Sequence, residues 1–385
     1  MKRVYAILVT ILLIAGCVGN RQVNEGDGFI TVDVTKRYPQ KELILQDFMD
    51  VEYIPLETGG EFYCQGIVLD VGREYIVARN QVRDGDIFIF DRNGKGVRKI
   101  NRMGQGGEEY NIISGITLDE KNSEIFVNDQ LTDKILVYDL FGNFKRSFMH
   151  KENYRKIYNY DNDKLICRDG GFNYENSTNN IPFFIISKLD GSIIEEIQIP
   201  FTERISTWLI QQQQGRVSML NINSFFYSII PFHNNWIITE PSSDTVYRFL
   251  PDYSIIPFIV RTPSIQTMDP EVFLFPGILS ERYHFMQIIK KEQEVGFATI
   301  ELMHDKSENT IFEYIVYNDD FANKKTQVNM MRETLNDEIA FWQKIEADEL
   351  VESYGKGELN GKLKENAEGL EEEANPVIML VKYKK

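Results

Sequence analysis

The glycine-rich stretch RMGQGGEEY, residues 102–110, is the first candidate for chemistry, because glycine loops bind phosphate in many enzymes. A phosphate loop needs Lys-Ser or Lys-Thr after its last glycine and a helix behind it, whereas Glu108 and Glu109 follow here. No strand–helix–strand unit surrounds the stretch, which also excludes dinucleotide binding. We interpret it as a turn whose glycines tolerate positive φ. Arg102, Glu109 and Tyr110 remain candidates for a ligand-binding face.

Two aspartates, Asp70 and Asp119, stand at equivalent positions of a sequence repeat. Carboxylates from successive repeats could ligate a divalent cation, as a metal-assisted lactonase or lyase requires. The competing interpretation places both residues in turns that follow a strand. We favour the turns and keep both aspartates as candidates for the ligand-binding face.

The remaining reactive side chains form no catalytic pattern. The histidines stand in different repeats without metal-ligand spacing, and there is no Gly-x-Ser-x-Gly motif. These histidines are His150, His233, His284 and His304. Cys64 and Cys167 lie at non-matching repeat positions and are predicted to be free thiols rather than a disulfide. We assign no catalytic residue, no metal ligand and no cofactor.

Residues 1–17, MKRVYAILVTILLIAGC, carry a basic start and an apolar run that predict export. The run is shorter than the roughly 20 residues of a membrane-spanning helix. Its end, IAGC at residues 14–17, resembles the bacterial lipobox. This resemblance implies that residues 1–16 are a signal peptide and that Cys17 is acylated and becomes the mature N-terminus.

The predicted anchor is a membrane partner in itself, because several acyl chains on one cysteine hold a protein stably on a bilayer. Val18 follows Cys17 where well-studied inner-membrane lipoproteins carry aspartate, so we expect the outer membrane and leave the leaflet open. Residues 17–28 are small and polar and suit a flexible tether. The formal charge of −16 argues against nucleic acid as a partner, because phosphate binding needs clustered Lys and Arg.

An internal repeat predicts the fold of residues 29–385. Gly66-Ile67 recurs as Gly115-Ile116, and the Asp and Gly of the turn DRNG, residues 91–94, recur in DLFG, residues 139–142. Each unit has four short strands rich in β-branched and aromatic residues, separated by Asp, Asn and Gly. Such sheets pack radially in a β-propeller. The repeat spacing alone favours seven blades, but the strand count favours six, and we predict a six-bladed β-propeller of four-stranded antiparallel blades.

Several local expectations follow from that count. In the last unit we expect strands at 341–345, 349–354 and 376–382 and a short helix at 359–370. Earlier in the chain we expect a loop at 211–214. The strand at 377–383 has no partner after it, so a strand from 29–34 or 51–56 is predicted to join the last blade and close the ring.

Four segments together resemble the six-bladed β-propeller lipoproteins of Bacteroides and relatives, an NHL-repeat-like group classed as a domain of unknown function. They are VEYIPLET at 51–58, RMGQGGEEY at 102–110, SSDTVYRF at 242–249 and NPVIMLVKYK at 375–384. Many relatives carry Gly-Pro where this chain has GQGGEEY. The group has no settled activity, so the resemblance implies a fold and an anchor but no catalytic residue.

Three functions fit these observations. The first is an outer-membrane binding or scaffold module for an envelope protein, a peptide or a glycan. The second is a metal-assisted lactonase or lyase, and the third is a subunit of a membrane-protein complex. Aromatic side chains that could stack on sugars support a glycan: Trp208, Trp236, Trp342 and the cluster at 225–227.

Overall fold

A computed structural model describes residues 28–81, 83–170, 181–213, 216–222, 226–292, 296–322 and 326–384. The predictions on residues 1–27, namely the signal peptide, acylation of Cys17 and the start of the tether, lie outside these ranges. No helix within them is long and apolar enough to cross a membrane.

Three strands precede the first blade, and each one extends a blade that comes later in the chain. They are β1 Ile30–Asp33, β2 Gln40–Ile44 and β3 Met49–Pro55, with the short helix α1 Leu45–Phe48 between the last two.

The first three blades are four-stranded antiparallel sheets. Blade 1 contains β4 Ile67–Val71, β5 Tyr75–Arg79, β6 Asp86–Asp91 and β7 Gly96–Asn101. Blade 2 contains β8 Gly115–Asp119, β9 Glu124–Asp129, β10 Lys134–Asp139 and β11 Phe144–Met149. Blade 3 contains β12 Tyr154–Asn159, β13 Lys164–Asp169, β14 Phe183–Ser187 and β15 Ile193–Ile197.

The second half of the ring follows a separate hairpin of β16 Trp208–Gln213 and β17 Arg216–Asn221. Blade 4 contains β18 Ile229–Phe232, β19 Asn235–Ile238, β20 Thr245–Phe249 and β21 Ile255–Thr262. Blade 5 contains β22 Val272–Leu279, β23 Tyr283–Glu292, β24 Gly296–Asp305 and β25 Thr310–Tyr317. Blade 6 contains β26 Ile339–Ile345 and β27 Val377–Tyr383, with α2 Ala347–Gly355 and α3 Gly361–Ala367 between them.

The repeated Asp and Gly residues form the turn between the third and fourth strands of a blade. Asp91 Oδ1 accepts hydrogen bonds from the backbone N–H of Asn93 and Lys95. Gly94 has a φ of +82°, in the left-handed region that glycine adopts without steric cost. The turn of blade 2 repeats both features at Asp139 and Gly142. The sequence repeat is therefore a repeat of hairpin geometry.

The last blade is closed by an N-terminal strand, as predicted. β3 runs antiparallel to β27, with Val51 opposite Val381. The side chain of Lys382 donates to Glu52 at 3.1 Å across the same pair.

The other two N-terminal strands extend blades 4 and 5 instead of the last blade. β1, the expected strand at 29–34, pairs in parallel with the outer strand of blade 4, and β2 pairs in parallel with that of blade 5. Both blades therefore have five strands. Blade 6 has three strands, in the order β26–β27–β3, within the part of the chain that the structure describes.

Two local expectations were wrong, whereas the strands at 341–345 and 376–382 and the helix at 359–370 were confirmed. The segment at 349–354 is helix α2 and not a strand, because Leu350 and Tyr354, one turn apart, pack against the core while acidic residues occupy the first turn. The glutamines at 211–213 belong to β16 and not to a loop, because the backbone of β17 pairs with them whatever their polarity. The helix expected at 359–370 is α3.

The core of the propeller consists of apolar clusters between neighbouring blades. Within the described residues, six clusters each combine side chains of two adjacent blades. Cys64 and Cys167 lie buried in two of them as free thiols, as predicted. Burial raises the pKa of Cys64 to about 11 and holds that of Cys167 well above its usual value, so both thiols are poor nucleophiles.

Candidate functional site

The inner strands surround a cavity of ≈ 1080 Å³ along the axis of the propeller. Five blades contribute to its wall, since β8 lies directly against β4 and β12 and residues from blades 4 and 6 complete the ring. The main contributions are 68–74, 114–121, 156–160, 234–236 and 332–339, except Thr334. We call this cavity the channel.

The channel opens at the end of the propeller where the first strand of each blade turns into the second. Residues of three such turns line it, at 72–74, 119–121 and 234–235, and so does the segment 336–338 that leads into β26. At the other end of blades 4 and 5, an apolar cluster lies at the start of β18 and β22, in which Phe226 stacks on Phe275 with centroids 3.8 Å apart.

Glu333 is the centre of a polar cluster in the wall. Its carboxylate accepts hydrogen bonds from Lys156 Nζ at 2.6 and 2.7 Å and from the Tyr158 hydroxyl at 2.9 Å. Burial raises the pKa of Tyr158 well above its usual value, and the charge of Glu333 adds to the effect. Tyr158 is therefore a hydrogen-bond donor at every physiological pH.

Arg332 and Tyr227 lie beside Glu333. Lys156 Nζ lies 5.9 Å from the centre of the Tyr227 ring. The Nε of Arg332 is buried and has no hydrogen-bond partner in the described part of the chain. Arg332 Nη2 donates to Gln343 Oε1 at 3.5 Å, so the guanidinium is held against blade 6 beside the ion pair of Lys156 and Glu333.

Asp70 has a raised pKa in the channel wall. Its two oxygens accept from the backbone N–H of Val71 at 2.8 Å and of Leu118 at 2.7 Å, so it joins blade 1 to blade 2. Burial raises the pKa of Asp70 to about 7, and the charges of Glu333 and Glu120 act in the same direction. Although part of its surface is accessible, the carboxyl lies deep in the channel, so desolvation is the main cause.

Asp119 has different surroundings from its repeat equivalent. It forms a buried ion pair with Lys188 at 2.6 Å and also accepts from Asn122. Lys188 donates in addition to the carbonyl of Asp161, so the pair joins blades 2 and 3.

The structure separates the five candidate residues into two places. Asp70 and Asp119 line the channel, whereas the other three lie at the junction of blades 1 and 2. Tyr110 is fully buried, and its hydroxyl donates to the carbonyl of Gly85 at 2.7 Å. Arg102 Nε donates to the carbonyl of Gly142. The Glu109 carboxylate accepts from the N–H of Gly106.

The glycine-rich stretch is a turn, but not for the reason expected. None of Gly104, Gly106 and Gly107 has a φ in the left-handed region. A Cβ at position 104 would lie 1.9 Å from Glu109 Oε2, so the glycine lets the Glu109 side chain fold back over the turn. The stretch is therefore a compact turn whose glycines have no left-handed backbone, and the Glu109 carboxylate occupies the space that a bound phosphate would need.

Three of the aromatic residues singled out in the sequence line the channel, namely Trp236, Trp342 and Tyr227. Trp208 lies in the separate hairpin. Phe226 belongs to the apolar cluster that also contains Phe275, and position 225 is outside the described residues. Sequence reasoning missed Glu333, because its segment has neither strand alternation nor a recognisable motif. Tyr158 was missed because it reads as one aromatic of an ordinary strand.

Metal chemistry has no obvious site in the described ranges, where no group of three or more His, Cys, Asp or Glu side chains is arranged to hold an ion. His284 and His304 are opposite each other on β23 and β24, with ring centroids 6.2 Å apart, but they lie between blades 4 and 5 and not in the channel.

Six radial sheets around a central channel define the class of this protein as a six-bladed β-propeller. The chain belongs to a family described as a 6-bladed beta-propeller, DUF5128, whose model matches residues 21–349. No match was found among curated protein sequences.

Three solved structures are similar to this chain, and the first of them shows the same fold. A crystal structure of an exported protein from Bacteroides fragilis has a TM-score of 0.58 and 14% identity, covering 93% of this chain and 100% of its own. A DUF4221 member from Bacteroides vulgatus has a TM-score of 0.45 and 11% identity, covering 88% and 98%. BamB from Moraxella catarrhalis has a TM-score of 0.41 and 9% identity, covering 87% and 100%.

Proposed function

We propose that this propeller is a binding module of the bacterial envelope, held at the outer membrane by acylated Cys17. It presents the mouth of its channel to an envelope protein, a peptide or a glycan. The observation that carries the proposal is the channel itself, a preformed concave site with aromatic, amide and charged side chains on its wall. The lipobox-like end of the leader supports the location.

The channel can be filled by one substitution. Gly115 lies on the channel wall at the start of β8, and a Cβ added there meets no atom within 4 Å. A phenylalanine at this position suits a strand and projects into open space. Gly107 provides a matched control, because a Cβ there also meets nothing within 4 Å but the residue is not part of the channel wall.

The test measures binding of the purified protein to isolated cell envelopes of the producing bacterium. We expect Gly115→Phe to lower the bound fraction at least tenfold while Gly107→Phe binds as the unaltered protein does. Equal binding by both variants would show that the channel is not the binding site. Circular dichroism melting of both variants checks that the fold is intact.

A metal-assisted lactonase or lyase is the second candidate. One observation favours an enzyme, namely that Asp70, whose pKa is about 7, faces the channel near Glu333 and is suited to acid–base chemistry at neutral pH. Elemental analysis of protein purified without chelator tests the metal-assisted form. One divalent ion per chain would favour the enzyme over the binding module, and its absence would contradict that form.

A further inference from the structure

The inner backbone edges of the channel are already hydrogen-bonded by side chains. Bonds of this kind cross between neighbouring blades, among them Leu118 N–H to Asp70, Thr117 to the Ile157 carbonyl, Asn128 to the Tyr154 carbonyl and Asn336 to the Val71 carbonyl. An extended peptide that binds by strand addition needs a row of free backbone groups along an edge. The channel therefore recognises its ligand mainly through side chains.

Aromatic rings provide the largest apolar surfaces of the wall. Trp236 is held in one orientation, because its ring packs against Tyr158 and Tyr160 at centroid distances of 6.0 Å each. Trp342 and Tyr227 are half-buried and expose the rest of their surface to the cavity. Rigid aromatic rings offer contact area at little cost in conformational entropy and suit the flat C–H faces of a pyranose.

The charges of the wall disfavour an anionic ligand. Seven carboxylates line the channel, against four cationic side chains. Lys156 is paired with Glu333, and Lys121 donates to Asn162. Carboxylates and the amides of Asn159 and Asn235 are suited to hydroxyl groups.

The size of the channel favours an oligomer over a single small molecule. Its volume of ≈ 1080 Å³ exceeds the roughly 300–1,000 Å³ of sites for drug-sized ligands.

We propose that the channel binds a neutral oligosaccharide. Trp342 and Tyr227 stack on its rings, and Glu333 binds its hydroxyl groups. This inference rests on the binding function proposed above and adds the chemical class of the ligand.

Tryptophan fluorescence provides the readout, since two of the three tryptophans of the chain line the channel. The full-length protein, extracted in a detergent that contains no sugar, is titrated with hexasaccharides of glucose, mannose, xylose and galactose. A hexamer of galacturonate serves as the acidic comparison, and an unstructured hexapeptide mixture as the peptide comparison.

We expect at least one neutral hexasaccharide to change the fluorescence saturably. Trp342→Leu should then weaken binding about tenfold or more, whereas Trp208→Leu, a matched change in the separate hairpin, leaves the affinity unchanged. Glu333→Gln removes the charge at nearly constant shape, so it tests the same site should the Trp342 variant fold poorly. We expect it to weaken binding severalfold, as measured by calorimetry.

Binding of the galacturonate hexamer or the peptides alone overturns the proposal, as does a failure of all four neutral hexasaccharides. An equal loss of affinity in Trp208→Leu and Trp342→Leu also overturns it. The envelope-binding test with Gly115→Phe assumes no ligand class. If that test succeeds and the saccharides fail, only the ligand class is wrong, and if both fail, the binding function is wrong as well.

Discussion

Asp70 and Asp119 occupy the same place in two successive blades but have different neighbours. Asp119 has the buried cation Lys188 beside it, whereas Asp70 has two backbone N–H groups and no adjacent cation among the contacts described. Burial therefore raises the pKa of Asp70 to about 7. The repeat predicts where both carboxyl groups are, but the difference depends on a lysine 69 residues away from Asp119.

The buried side chain of His284 makes the stability of the protein depend on pH. Burial between Phe232 and Phe258 lowers the pKa of His284 to about 3, and the nearby cations Lys306, His304, Arg248 and His233 act in the same direction. The unfolded chain binds a proton at His284 below a pKa of about 6.5, while the folded chain does not until about 3. Stability therefore falls as the pH decreases through this window.

We expect His284→Leu to flatten this dependence by up to about 1.4 kcal/mol per pH unit. The measurement is urea denaturation at pH 7.5 and pH 4.5. His233→Gln is the control, because His233 is exposed. If the two variants lose stability equally between these pH values, burial of His284 is not the cause.

At the scale of elements, the blades were predictable and their extra strands were not. Alternating β-branched residues with Asp and Gly turns predict hairpins, because these signals act within a few residues. The pairing of β3 with β27 could be expected from an unpaired edge. The parallel pairing of β1 and β2 could not, because one strand sequence fits the outer edge of any blade.

The inner segment before β26, which has no strand geometry, could not be predicted from the sequence either. The stretch around Met330 packs on blade 5, where the Ile278 N–H donates to its carbonyl, and it carries Glu333 into the channel. Its sequence shows no alternation, so the main polar cluster of the channel could not be found from pattern alone. Trp236 and Trp342 could be found, because an aromatic side chain is conspicuous whatever its element.

Gly277 sets how closely blades 5 and 6 approach. A Cβ at this position would lie 2.6 Å from the carbonyl oxygen of Met330 and 2.5 Å from Met331 Sδ. We expect Gly277→Ala to lower the free energy of unfolding by about 1–3 kcal/mol, because backbone has to move. Thermal and urea melting measure the change, with Gly107→Ala as the control in open space. A neutral Gly277→Ala would mean that the two blades are not in close contact.

At the scale of the whole molecule, the proposed anchor and the proposed site are independent. The tether leads to β1 on the rim of blade 4, whereas the ligand enters along the axis through the mouth of the channel. An axial mouth and a rim attachment leave the site accessible while the protein is held at a membrane.

Loss of the acylated cysteine should release the protein without affecting its fold. We expect Cys17→Ala to move it from the membrane fraction to the soluble fraction, because the acyl chains provide the membrane affinity. Fractionation followed by immunoblotting measures the shift, and Cys64→Ala is the control that keeps the anchor. Membrane retention of Cys17→Ala would contradict the anchor.

The closing strand also fixes when the ring can form during synthesis. β3 emerges early from the ribosome, yet it pairs with β27, and the contact between Glu52 and Lys382 spans 330 residues of sequence. Until β27 has been made, β3 has no partner and the sixth blade is open. Contacts of such long range slow folding. Ring closure is thus a late step, completed only after β27 has been translated.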